Sequence, residues 1–148
     1  MPFIKPFHLG IKTPVINVPA VCRMLGWLLL IEAAFMLIPL ATSLIYGEDD
    51  AMAFVKSIAI TAGVGLLAIL CFRPRIANMG KRERFLRTVL VLVVFWTFGM
   101  LPLLIGPTPL TVSEGFFEAM SGFTTTGATV ITKVSSLTHG ILIWRSLM

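Results

Sequence analysis

Three long stretches of the chain are almost free of charge, with short polar segments between them. Met24 to Tyr46 carries one charged residue, Glu32, and one proline, Pro39. Ala51 to Phe72 carries only Lys56, close to its start, and Thr88 to Ile105 carries no charge over 18 residues. A helix needs roughly 20 apolar residues to cross the hydrocarbon core of a bilayer, so the pattern predicts three spanning helices. In the third, periodicity alone does not separate helix from buried strand, and length decides for helix.

The pattern changes after Ile105. Gly106 to Leu110, "GPTPL", is a turn that cannot continue a helix. Thr111 followed by Glu114 matches a capping box. Val112, Phe116, Ala119, Met120 and Phe123 then recur at helical spacing, with Gly122 as a stop signal. The expected helix has about ten residues, roughly 15 Å at 1.5 Å per residue, which is half a membrane. Next comes "SGFTTTGATVI", from Ser121 to Ile131, a run of hydroxyls and a glycine in apolar surroundings. Leu137 to Met148 is apolar again and reads as the beginning of a fourth span.

Charge orients these elements. Lys5, Lys12 and Arg23 precede the first span. Arg73, Arg75, Lys81, Arg82, Arg84 and Arg87 lie between spans two and three, against a single Glu83. These nine of the twelve Lys and Arg fall on one side, whereas "GEDD" between spans one and two has no basic residue. The positive-inside rule makes the basic side, and the N-terminus, cytoplasmic. The basic pI of 9.8 is thereby explained without nucleic acid. With 57% hydrophobic and 13% charged residues, the chain has about half the charge of a soluble domain. No signal peptide is recognisable at its start.

Few groups could do chemistry. Cys22 and Cys71 lie beside basic residues and read as reduced, structural thiols; with the lone His8 and His139 they are too few for a metal site. No nucleophile–base set or carboxylate pair emerges, so no enzymatic activity and no cofactor are expected. Gly122 and Gly127 have phosphate-loop separation, but the Lys-Ser/Thr that should follow is missing.

A half helix that enters and leaves a membrane by one face is a re-entrant loop. Non-helical backbone at that depth survives only where it is buried in protein or lines water. Such a helix aims the negative end of its dipole inward, which favours a cation. "TTTGA" offers closely spaced carbonyls, the groups that replace the hydration shell of K⁺ in filters, and Gly127 takes left-handed dihedrals at little cost. Taken alone, the run also fits an ordinary Thr/Gly loop.

"FFEAMSGFTTTGATVI", followed by "LTHGILIWRSLM", resembles the first pore-loop repeat of the TrkH/KtrB family of potassium uptake proteins. The two preceding spans resemble the TrkH/TrkG branch. The resemblance implies an all-α membrane protein with three transmembrane helices, a re-entrant pore helix with its filter loop, and the truncated start of a further transmembrane helix. Residues 1–87 would form a helix pair with a basic cytoplasmic loop, and 88–148 a first membrane–pore–membrane repeat. It also implies K⁺ uptake across the bacterial inner membrane, with this chain supplying one of four filter strands. Thr125, Thr126 and Gly127 would line the path through their carbonyls, flanked by Thr124 and Ala128. A homodimer and a cytoplasmic nucleotide-binding partner of the TrkA type are implied for the full-length protein. The alternatives are a truncated, non-transporting membrane protein and a pore assembled from four copies.

Other polar residues read as follows. Glu32 is a structural or functional intramembrane acid, and Lys56 snorkels to headgroups. Glu118 either adds negative potential at the pore mouth or braces the filter. Lys133 and His139 face water, and Arg145 needs a partner that the sequence does not identify. Trp27, Tyr46, Trp96 and Trp144 are interface anchors or packing residues.

Overall fold

A computed structural model describes residues 18–72, 81–107, 110–132, 134 and 137–148, with backbone alone at 81–84 and 86. Lys5, His8, Lys12, Arg73, Arg75, Lys133 and the side chains of Lys81, Arg82, Glu83 and Arg84 lie outside the described residues, as does the middle of the "GPTPL" turn. The described residues form seven α-helices, α1 Val18–Phe35, α2 Leu37–Tyr46, α3 Ala51–Cys71, α4 Lys81–Gly99, α5 Leu101–Ile105, α6 Val112–Phe123 and α7 His139–Leu147, and no strand. Val18–Tyr46, Ala51–Cys71 and Arg87–Ile105 are long and apolar enough to cross a membrane.

Two of the expected spans are broken rather than continuous. Pro39 has no N–H to offer the Phe35 carbonyl, and the helix is interrupted at Met36. The chain stays continuous through bonds from Met36 N–H to Glu32 O (3.0 Å) and from Leu40 N–H to Met36 O (3.2 Å). The second break is at Met100, just before Pro102. There Leu103 N–H bonds to Met100 O rather than to Gly99 O. The freed Gly99 carbonyl accepts the indole N–H of Trp144 at 2.9 Å. A helix break at membrane depth needs such a donor, because hydrocarbon supplies none. Trp144 is therefore a buried packing residue, not an interface anchor.

α1 packs on α3 through a contact between glycines. A Cβ on Gly26 would lie 2.6 Å from the Gly65 carbonyl oxygen, and one on Gly65 would lie 2.9 Å from the Gly26 oxygen. Small residues allow helix backbones to approach this closely where no hydrophobic force drives association. Gly26→Ala is therefore expected to force the crossing open and destabilise the folded protein by about 1–3 kcal/mol, the usual cost of overpacking. Gly63, on the same helix as Gly65, has nothing within 4 Å of an added Cβ. Gly63→Ala should be neutral or slightly stabilising, since Ala is the better helix former. Thermal unfolding in detergent separates the two; equal midpoints for both variants would contradict the close crossing.

The core joins early and late parts of the chain. Met36 and Phe54 cluster with Leu103, Ile141 and Trp144, while Val21 and Leu25 pack with Val91. The first helices thus form a wall against which α5 and α7 are set. Cys22 and Cys71 are both free.

Candidate functional site

The site is built from α6 and the strand that follows it. The capping box is present: Thr111 N–H and hydroxyl donate to Glu114 Oε2 at 2.8 and 2.7 Å, and Glu114 N–H returns to Thr111 Oγ1 at 3.4 Å. From that start α6 runs 12 residues, roughly 18 Å. It passes Gly122 and ends at Phe123, with Thr124 as its C-cap.

The helix terminates in a paired-bond turn. Thr126 N–H reaches back to Ser121 O and Thr125 N–H to Gly122 O, both at 2.9 Å. This is the Schellman arrangement, whose C′ residue takes a left-handed conformation and is usually glycine. Here it is Thr125, with φ 55°, and Gly127 is left-handed too, with φ 72°. Thr126 and Ala128, between and after them, have no positive φ. Thr124 to Val130 are exposed along one continuous run.

Side-chain contacts hold this strand together and to the helix. Thr124 Oγ1 bonds to Met120 O at 2.6 Å and meets Thr126 Oγ1 at 2.9 Å. Ser121 Oγ donates to Ala128 O at 2.7 Å. Of the two residues expected to flank a path, Thr124 is therefore the helix cap, and Ala128 has its carbonyl bonded to Ser121. Farther along, Glu118 Oε1 accepts Thr129 Oγ1 at 2.5 Å and Val130 N–H at 2.7 Å. Its other oxygen pairs with Arg145 at 3.2 Å, and the Glu118 side chain is only 3% exposed. Glu118 thus braces the loop, and Arg145 has the partner that the sequence alone did not reveal. Behind the turn, Phe123 packs on Phe95 with ring centroids 4.6 Å apart. Trp96 meets Phe116 edge-on.

The acidic "GEDD" segment proves to be a clamp on the returning helix. Glu48 accepts His139 N–H at 3.1 Å, Gly140 N–H at 3.3 Å and the His139 ring nitrogen Nδ1 at 2.7 Å. Acids at a helix N-terminus satisfy free N–H groups and complement the dipole. Asp50, fully buried, accepts the hydroxyls of Ser43 and Thr138. His139 does not simply face water: it also stacks on Tyr46 at 4.3 Å. In the sequence these acids show only as a charge bias. Ser121 gives no signal in the sequence, because a single serine carries no pattern.

Desolvation opposes the charge on Glu48. Hydrogen bonds from the His139 ring and from the His139 and Gly140 N–H groups outweigh it and hold the carboxyl below its usual range. A lowered folded-state value gives stability that is present above the ordinary carboxylate range and lost as pH falls through the folded value. Unfolding temperature should therefore decline in acid, and Glu48→Gln should remove part of that decline. An identical acid limb in parent and variant would contradict the clamp. Among the described residues no group of three or more His, Cys, Asp and Glu could hold a metal ion.

Helices of spanning length around a half-length helix and its Thr/Gly strand place the chain among all-α membrane proteins of pore-loop architecture. Comparison with known proteins then gives the family. The chain is 34% identical over 130 residues to the Trk system potassium uptake protein TrkH of Escherichia coli K12, covering 87% of this chain and 27% of that protein. It is 38% identical over 126 residues to TrkH of Halomonas elongata, covering 84% and 26%. The crystal structure of the potassium transporter TrkH from Vibrio parahaemolyticus superposes with a TM-score of 0.79 at 32% identity, over 86% of this chain and 27% of that one. No protein-family model matches. The chain belongs to the TrkH family, and it spans about a quarter of the length of the relatives it matches.

Proposed function

We propose that this chain supplies one of four filter strands in a pore for K⁺ uptake across the bacterial inner membrane, with its N-terminus cytoplasmic. The observation that carries the reading is the strand after α6. Thr125 and Gly127 are left-handed, Thr126 and Ala128 are not, and the whole run is exposed. Alternating hand turns successive carbonyls toward one side, as a carbonyl filter requires. Thr125, Thr126 and Gly127 are the residues whose carbonyls face the ion. Thr124 and Ala128 complete the strand at its ends, held by Met120 and Ser121. The end of α6 brings its negative dipole to the same place.

The relatives are named as potassium uptake proteins, which supports K⁺ as the transported substrate. Three further strands complete the ring. A homodimer and a TrkA-type nucleotide-binding subunit on the cytoplasmic face belong to the same reading. The test is rubidium uptake by the whole reading frame that contains this chain, in cells lacking their own K⁺ uptake. Uptake that restores growth at low K⁺ is expected; a stably inserted protein that moves no rubidium would overturn the proposal.

A further inference from the structure

Glu32 is the one described acid inside a spanning helix, and nothing in the filter uses it. Its side chain is 1% exposed, and neither carboxyl oxygen has a hydrogen-bond partner among the described residues. It lines a cleft of about 150 Å³ together with Phe35, Phe95, Phe123, Trp144 and Leu147. Among these lining residues the one side chain with an N–H to donate, the Trp144 indole, is taken by the Gly99 carbonyl. Gly99 itself is wedged between Glu32 and Phe123: an added Cβ would lie 3.0 Å from Glu32 Oε1 and 2.6 Å from the Phe123 ring.

We infer that Glu32 is a proton-binding site whose occupancy controls the packing behind the filter. A buried carboxylate needs a counter-charge or several donors, and without them its cost is several kcal/mol or more. Among the described residues, the charged and titratable groups on the elements around the cleft do not line it: Lys56 and Cys71 on α3, Arg87 on α4, Glu114 and Glu118 on α6, His139 and Arg145 on α7. Glu118 and Arg145 are paired with each other. A metal cation is a poor occupant, because hard cations take six or more oxygens and the cleft lining offers one carboxyl group. A proton needs only that group.

The consequence lies one residue from the filter. Phe123 ends α6 and precedes Thr124. With the proton in place, the neutral acid sits against apolar side chains and the cleft stays dry. When the proton leaves, the charge draws water between Phe123 and Trp144 and loosens the support of the strand. Uptake therefore falls as Glu32 ionises toward alkaline pH.

This inference rests on the uptake reading for its consequence, though not for the site itself. The first measurement is infrared spectroscopy of the full protein in lipid, titrated from acid to alkaline pH. A carbonyl band of a protonated carboxylic acid in apolar surroundings is expected, absent from Glu32→Gln. No such band, or one unchanged in the variant, overturns the site whether or not the protein transports. The second measurement is rubidium uptake against pH. Glu32→Gln, a permanent mimic of the neutral acid, should keep its uptake and lose the alkaline decline; a pH profile identical to the parent's overturns the coupling. If Glu32→Gln fails to accumulate, Glu32→Asp gives the same infrared test through a displaced band, and an undisplaced band overturns the site.

Discussion

Glu118→Ala is expected to abolish rubidium uptake and to destabilise the folded protein by about 3–5 kcal/mol, the range found when one partner of a buried pair is removed. The size of the effect follows from two roles held by one side chain. One oxygen holds Thr129 and Val130, just past the proposed filter residues, and the other neutralises Arg145 on α7. Alanine leaves a largely buried guanidinium unpaired and releases the far end of the strand. Glu118→Gln separates the roles: its amide oxygen still accepts from Thr129 and Val130, but the charge is gone. It should fold less stably than the parent and retain more uptake per folded molecule than alanine does. Removing both charges, with Glu118→Leu and Arg145→Met, should recover most of the stability, because an apolar pair often replaces a buried ion pair at little cost. Uptake should stay lost, since nothing then holds Thr129. Uptake restored along with stability would mean that bracing by Glu118 is irrelevant to the strand. Yield and thermal midpoint in detergent, read beside uptake, distinguish these cases.

The spanning helices were legible because hydrocarbon imposes a length and an absence of charge that any reader can count. The half helix was legible for a local reason: Thr111 and Glu114 cap within one turn, and the apolar spacing runs from that cap. The breaks at Met36 and Met100 were less so. A proline withdraws its N–H from the carbonyl four residues earlier, so the interruption falls upstream of the residue that causes it. The tertiary partners were the least legible. Arg145 and Glu118 are 27 positions apart, and Glu48 and His139 are 91 apart, so no periodicity relates them. One signal was available: Glu118 and Arg145 are opposite charges in apolar helices of the same unit, and each is too costly to bury alone. The left-handed Thr125 had no signal of its own, because the Schellman turn that imposes it normally announces itself with glycine.

Gly127 carries the central claim, and its substitution has the other large expected effect. Its φ of 72° is one that L side chains rarely adopt, yet nothing lies within 4 Å of an added Cβ. Space is therefore available, and the cost of a side chain is in the backbone. That cost is about 1–2 kcal/mol for an ordinary residue. It is larger for a β-branched one, while Asn tolerates the region better. A residue that avoids it by flipping the peptide turns a carbonyl away from the path. Selectivity should fall in the order Gly, Asn, Ala, Val, which follows left-handed propensity rather than size. The decisive measurement is rubidium uptake in competition with sodium for the parent, Gly127→Asn and Gly127→Val, each corrected for inserted protein. Selectivity largely kept by Asn and lost in Val is the expected result. Uptake and selectivity in Gly127→Val equal to the parent's would contradict a filter at this strand.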